Sequence, residues 1–437
     1  MDKDKEKAKK KAKEKVEDQP KTSKKPFIVV LVVALVAVIA VGGVGLGYCV
    51  YKYLYESTGS LTIVADEVYV NDIAVGGMTM DEAREVMTGI ENDLASQVKV
   101  EITAGEKKYR LTKKDFPCSF DTEQIFEKIK EHSAEKSFDK EEQRYQITMT
   151  TDTSKIGQIV DTVAGELYIE PVDARVTEFH PDSDPMFVYE SEQSGQQLDK
   201  KDLTKKLNAL CKKEKLSGTV KAKIDTIEPS VTEDFLASSI VKLSSFSTES
   251  TNNDNGNHNM SISLKACNGS IIDPGETWSF NDCTGDSNLE SNGYKPAGVI
   301  VDGKRETGIG GGICQSSTTI YNAGLLCGMG IEERYCHYFQ STYADAGRDA
   351  TIDYGNLDLC MSNPFDYQLF MKCWMKGDKL TCEIYGVQSP EFDQIKITTS
   401  DPKNKGNSYT VQAWRTYYLD GEKVRKEELP ESTYYNS

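Results

Sequence analysis

The chain has 437 residues, with 52 Lys and Arg against 69 Asp and Glu, for a formal net charge of -17. Taking about 150 residues per domain, the length allows two to three domains. The acidic balance argues against a nucleic-acid binder, which needs a basic surface to displace counterions. Four His and no C-x2-C pair leave little for a structural zinc site. No metal, cofactor or nucleotide is expected.

The charge is uneven. Residues 1–26 hold eleven Lys against six acids, a Lys/Glu-rich tail of net +5, and the remainder is strongly acidic. Phe27–Val50 follows, twenty-four residues without a charge. At 1.5 Å per residue this run is long enough for a bilayer core of about 30 Å, and it exceeds the apolar run of a secretory signal. The positive-inside rule puts the Lys-rich tail in the cytoplasm and the rest outside, on a single-pass membrane anchor.

Beyond the anchor the pattern is α+β. Residues 57–143 read as a first small module and 144–231 as a second. In the first, Thr79-Met-Asp-Glu82 fits a capping box ahead of a helix over Met80–Leu94. Strands are expected at Val98–Ala104 and Lys107–Thr112, and a helix at Thr122–Ser133. In the second, helices are expected over 152–164 and 199–213, and a strand over Thr219–Ile227. The segment 245–386 forms a third domain, opening with an Asn-rich polar loop from Asn252 to Asn259. A β extension over 387–437 turns at Asp420-Gly421, and its Tyr434 and Tyr435 carry no assignable chemistry.

The informative block is Gly308-Ile-Gly-Gly-Gly-Ile-Cys-Gln-Ser-Ser-Thr-Thr-Ile-Tyr-Asn-Ala323. The glycines permit backbone angles closed to other residues and a close approach of substrate. A helix over Cys314–Met329 follows, with Ile313, Ser317, Ile320, Tyr321 and Gly324 on one face. Cys314 then stands at a helix start, where free N–H groups and the positive dipole end favour a thiolate. The same N–H groups suit an oxyanion, so Gly310, Gly311, Gly312 and Gln315 are the substrate and oxyanion candidates. A cysteine nucleophile needs a base. His337, in an expected strand over Ile331–Phe339, leads, with His258 as backup. Asp349 or Asp353 is the orienting carboxylate, and Arg348 is placed to hold a substrate carboxylate. A buried structural Cys or His is the bland alternative at each position.

Together with Pro274-Gly-Glu-Thr-Trp-Ser-Phe-Asn281, Gly347-Arg-Asp-Ala-Thr351 and Asp353-Tyr-Gly, this block resembles the VanW domain over about 140 residues. Ser316 departs from the Val often found there. Val75-Gly-Gly-Met-Thr-Met-Asp-Glu-Ala83, Pro171-Val-Asp-Ala-Arg175 and Gln196-Gln-Leu-Asp-Lys200 resemble the peptidoglycan-binding modules that precede such domains. The resemblance implies a Gram-positive cell-wall protein acting on peptidoglycan stem peptides and glycan. It further implies an L,D-transpeptidase with a cysteine nucleophile, or a non-catalytic wall-binding scaffold linked to glycopeptide resistance. No Ser-His-Gly run occurs, so the better-known transpeptidase domain of that signature is not the source. Eleven Cys are present, and setting aside Cys49 and Cys314 leaves an odd nine whose connectivity is open. Cys360, Cys373 and Cys382 fall on expected strands as small hydrophobes.

Overall fold

The computed structural model describes residues 63–134, 142–213, 216–301 and 304–436. The apolar run Phe27–Val50 lies outside them, and among the described residues no helix is long and apolar enough to cross a membrane. The chain forms two compact units. One comprises described residues of 63–163 and 200–223, the other 164–199 and 224–436. Both are mixed α+β.

In the first unit, helix α1 (Met80–Ser96) starts as expected. Thr79 accepts from the Glu82 N–H and the Glu82 carboxylate accepts from the Thr79 N–H, which satisfies two orphan donors. Its buried face of Ala83, Met87 and Ile90 packs with Ile125, Phe126 and Ile129 of α2 (Thr122–Ala134). Strands β1 (Lys99–Ala104) and β2 (Lys107–Leu111) pair through a Gly105 turn. Strand β3 (Ser217–Lys221) joins β1 in parallel, Ser217 opposite Lys99. The boundary read at 143/144 therefore does not separate two modules, because a strand expected in the second completes the sheet of the first. The expected 219–227 strand is also broken, at Ala222, into Ser217–Lys221 and Ile224–Ile227. Helix α3 runs Ile156–Leu167, later than read, and α4 runs Lys200–Cys211.

The second unit holds the site. Helix α5 (Glu233–Ser239) leads into β4 (Ile240–Glu249). The Asn-rich stretch is a helix rather than a loop. Asn253 caps α6 (Asp254–Cys267) by accepting from the Gly256 N–H. Met260, Leu264 and Cys267 recur at helical spacing and are buried, which outweighs the low helix propensity of the asparagines. Next come β5 (Ser270–Ile272), β6 (Thr277–Ser279), the short α7 (Phe280–Thr284) and the hairpin β7 (Pro296–Val301) with β8 (Lys304–Ile309). Helix α8 (Cys314–Cys327) and β9 (Gly330–Glu333) follow, then β10 (Cys360–Ser362), β11 (Leu369–Lys376) and β12 (Lys379–Val387). The C-terminal strands are β13 (Gln394–Thr399), β14 (Ser408–Val411), β15 (Ala413–Leu419), β16 (Glu422–Glu428) and β17 (Ser432–Tyr435).

The central sheet has the order β4-β12-β11-β5, all antiparallel. Helix α8 packs on β4 and β12, and α6 on β11. Instead of one buried face, α8 is enclosed on all sides, from Gln315 to Leu325. Apart from the Tyr321 hydroxyl, its buried hydroxyl and amide side chains each find a partner, as burial demands. Thr319 Oγ1 lies 2.8 Å from Thr248 Oγ1, Ser317 donates to the Ala350 carbonyl at 2.7 Å, and Asn322 donates to that of Arg348 at 2.7 Å. Ser316, the departure in the glycine–cysteine block, receives a 2.9 Å bond from Ser263 of α6. The helix ends two residues earlier than read, on Gly328 at φ 100. The 387–437 extension is broader than a terminal hairpin. Its turn has Asp420 and Gly421 both at positive φ, as a two-residue hairpin requires. Arg415 anchors β15 by donating to the Met329 carbonyl at 2.7 Å.

Candidate active site

Cys314 is the first residue of α8, as expected. The N–H groups of Gln315, Ser316 and Ser317 are already bonded to the carbonyls of Gly312 and Ile313. That leaves the Cys314 N–H as the donor the helix start cannot satisfy internally. The thiol is half-buried. Its sulfur lies 3.4 Å from Thr351 Oγ1 and 3.6 Å from the Ile352 carbonyl.

His337 reaches Cys314 by an unexpected path. Strand β9 stops at Glu333, four residues short of the histidine. Residues 334–339 leave the sheet because Arg334 and His337 turn to one buried carboxylate, that of Asp349. Asp349 Oδ2 accepts from the His337 backbone N–H at 2.7 Å and from Nδ1–H at 2.6 Å. Oδ1 accepts from Arg334 at 3.1 Å and from the Tyr434 hydroxyl. Arg334 also donates to the Asp349 carbonyl at 2.6 Å and to Ser432 at 2.7 Å. With Nδ1 committed to Asp349, Nε2 is the ring nitrogen left for other partners, and the charges of His337 and Cys314 are coupled. Tyr343 brings its hydroxyl to 3.1 Å from the same Nε2, with its ring edge-on to the imidazole.

The electrostatics follow from this geometry. Burial opposes ionisation of the Cys314 thiol, but the hydrogen bond and charge of His337 overcome it and hold the thiol below its ordinary value. Burial likewise opposes charge on His337, while Asp349 and Cys314 raise it to about 9. Burial would raise Asp349, yet His337, Arg334 and Tyr434 hold it at about 2. The arrangement favours a charged imidazole beside the thiol and a lowered thiol beside the imidazole, braced by a carboxylate.

Two checks arise here. Alkylation of Cys314 by iodoacetamide should extend to lower pH than that of an ordinary thiol, and His337→Gln should move its pH profile upward, since His337 is what lowers the thiol. The stability contributed by the His337–Asp349 pair should be complete between the ordinary values of 3.8 for Asp349 and 6.5 for His337. It should fade as pH drops through about 2, where the depressed carboxyl protonates, and as pH rises through about 9, where the raised imidazole deprotonates. Urea midpoints of wild type minus Asp349→Asn across that range measure it.

The other candidates fall elsewhere. Gly310 (φ 76) and Gly311 are required by packing. A Cβ on Gly310 would lie 2.4 Å from the Ser287 carbonyl oxygen, and one on Gly311 2.6 Å from the Ala297 backbone. Gly312 sits at φ 98 against Gly256. Gln315 is buried and donates to Thr248 at 3.1 Å, so its side chain ties α8 to β4. Arg348 donates to Asn322 at 2.9 Å, pairs with Asp345 at 3.6 Å and lies over the Phe246 ring, so structural partners already engage it. His258, the backup base, sits on α6 with Nε2 3.0 Å from the Gly293 carbonyl. Asp353 closes its own turn with Asn356.

Arg334, Tyr343, Ser432 and Tyr434 are the site residues that sequence reasoning missed. Tyr434, read as carrying no chemistry, both bonds Asp349 and accepts from the Gly347 N–H at 2.7 Å. Its separation of 85 residues from Asp349 left no local signal. Tyr434→Phe orphans the buried Gly347 N–H and should cost about 1–3 kcal/mol, readable as a lower urea midpoint.

A cysteine at a helix start, an imidazole and a buried carboxylate thus stand together on an α+β unit. Residues 255–385 match the family described as "VanW like protein", and residues 117–218 match the "Putative peptidoglycan binding domain". The residues matched to the first of these include Cys314, His337 and Asp349. It is 36% identical over 135 residues to "Uncharacterized protein YoaR" of Bacillus subtilis (strain 168), covering 31% of this chain and 44% of that one. It is 30% identical over 140 residues to "Vancomycin B-type resistance protein VanW" of Enterococcus faecalis (strain ATCC 700802 / V583), covering 30% of this chain and 50% of that one. The chain spans about half the length of these curated relatives. No solved structure matches it.

Proposed function

We propose that the protein is a membrane-anchored, extracytoplasmic L,D-transpeptidase of peptidoglycan. The observation that carries the reading is the 2.6 Å hydrogen bond of His337 Nδ1 to Asp349, together with the lowering of the Cys314 thiol by His337. The peptidoglycan-binding match supports a cell-wall location and partner, and the uncharged run Phe27–Val50 supplies the anchor. The Cys314 thiolate attacks the carbonyl between the third residue and the terminal D-Ala of a stem tetrapeptide. The Cys314 N–H faces the developing oxyanion. The C–N bond breaks, and the imidazolium of His337 gives its Nε2 proton to the departing D-Ala amine. A side-chain amine of a neighbouring stem then attacks the thioester. Its proton passes to His337 and the thiolate is restored, leaving a 3–3 crosslink. Water in place of the amine yields a carboxypeptidase.

Incubation with disaccharide-tetrapeptide followed by mass spectrometry should show crosslinked dimers from wild type and none from Cys314→Ala. Equal dimer yield from both would refute the reading. A non-catalytic wall-binding scaffold is the alternative, favoured by the half-buried sulfur and its contacts with Thr351 and Ile352. Labelling of Cys314 only after unfolding would favour it.

A further inference from the structure

The central sheet carries a thiol pair that this chemistry does not use. Cys373 on β11 and Cys382 on β12 stand directly opposite each other, 2% and 0% exposed, with sulfurs 3.4 Å apart. Their place on the ladder is informative. The Cys373 N–H donates to Asn268 Oδ1 at 2.8 Å, and the carbonyl of Met371, two residues earlier, accepts from the Gly269 N–H at 2.9 Å. The backbone groups of this strand phase therefore point toward β5, away from β12. Cys373 and Cys382 form a non-hydrogen-bonded pair, the kind in which facing Cα atoms come to about 4.5 Å and side chains lie closest. A disulfide accepts Cα separations of about 4.4–6.8 Å, so the register already meets its requirement. The register itself is held by the tight turn at Gly377-Asp378, with Gly377 at φ 60.

We infer that Cys373 and Cys382 are joined by a cross-strand disulfide when the chain folds in an oxidising compartment. Both sulfurs are buried in the finished fold, so the bond forms while the hairpin is still open. One thiolate attacks a sulfur of an external disulfide, forming a mixed disulfide and releasing one thiolate. The second cysteine thiolate attacks that mixed disulfide, forming the S–S bond and releasing the other. The two cysteine protons go to the released sulfurs, and the external disulfide is reduced to two thiols as the pair is oxidised. The bond is independent of the transferase reading. It also sorts the thiols, removing two from exchange while Cys314 stays reduced beside His337. Cys267 on α6 and Cys283 on α7 belong to the same core, on helices packed together, and are the competing partners.

The test folds the full chain in a buffer of oxidised and reduced glutathione, alkylates it in denaturant and maps the cysteine peptides by mass spectrometry. A peptide linking Cys373 to Cys382 is expected. Reduction should then lower Tm by roughly 5–10 °C, given the usual worth of a native disulfide in a unit of this size. In Cys373→Ala/Cys382→Ala that reductant-dependent shift should vanish. Full alkylation of both residues after oxidative folding, or linkage of either to Cys267 or Cys283, would overturn the inference without use of any variant.

Discussion

Asp349→Asn should cost roughly ten-thousand-fold in crosslinking rate, the scale seen when the carboxylate of a nucleophile–histidine–carboxylate site becomes an amide. The reason is the tautomer. Asp349 Oδ2 receives both the backbone N–H and Nδ1–H of His337. An amide nitrogen there donates instead of accepting, and the imidazole must turn or move its proton to Nε2. It then no longer takes the proton from Cys314. The same change strips the partner from Arg334, whose side chain and that of Asp349 are each 1% exposed. Leaving one charge of a buried pair uncompensated typically costs about 3–5 kcal/mol. The variant should therefore unfold at lower urea and, where still folded, label slowly at Cys314. Activity within tenfold of wild type would show that Asp349 acts only as scaffold.

Gly310→Ala should be the most damaging change that touches no reacting atom. Its φ of 76 lies in the left-handed region, and an added Cβ would come within 2.4 Å of the Ser287 carbonyl oxygen. The left-handed backbone costs about 1–2 kcal/mol and the overpacking about 1–3 kcal/mol more, so a loss of about 2–5 kcal/mol is expected by chemical denaturation. The fixed segment beneath Gly310 and Gly311 sets where α8 begins, and thus where the Cys314 N–H points. A variant that folds should lose crosslinking out of proportion to its stability. Gly275→Ala is the control, since Gly275 is also at positive φ (74) but meets open space. It should cost only the backbone strain. Equal losses at the two sites would show that packing against Ser287 is not what holds the loop.

Local chemistry was readable and distant pairing was not. The Thr79–Glu82 capping box, the start of α8 at Cys314 and the Asp420-Gly421 turn depend on residues within a few positions of one another, and each is found as read. The choice of His337 over His258 came from its position just after the helix that Cys314 begins, and the structure pairs His337 with Asp349. The carboxylate's other partners were hidden because Tyr434 and Ser432 arrive from β17, and Arg334 only through the turn that ends β9 early. The glycine run was readable as a demand for small residues but not as to its cause, since the atoms it touches belong to Ser287 and Ala297. Gln315 and Arg348 were given exposed tasks because nothing local marks α8 as enclosed on all sides.

The most direct test is intact-protein mass spectrometry of the chain mixed with a stem tetrapeptide and quenched in acid within the first turnover. The expected result is a mass increase equal to the tripeptide acyl group, mapped to Cys314, lost in Cys314→Ser and slow to form in His337→Gln. Crosslinked or trimmed product from wild type with no acyl group on Cys314 would contradict the thioester route, as would an adduct of equal yield on another residue.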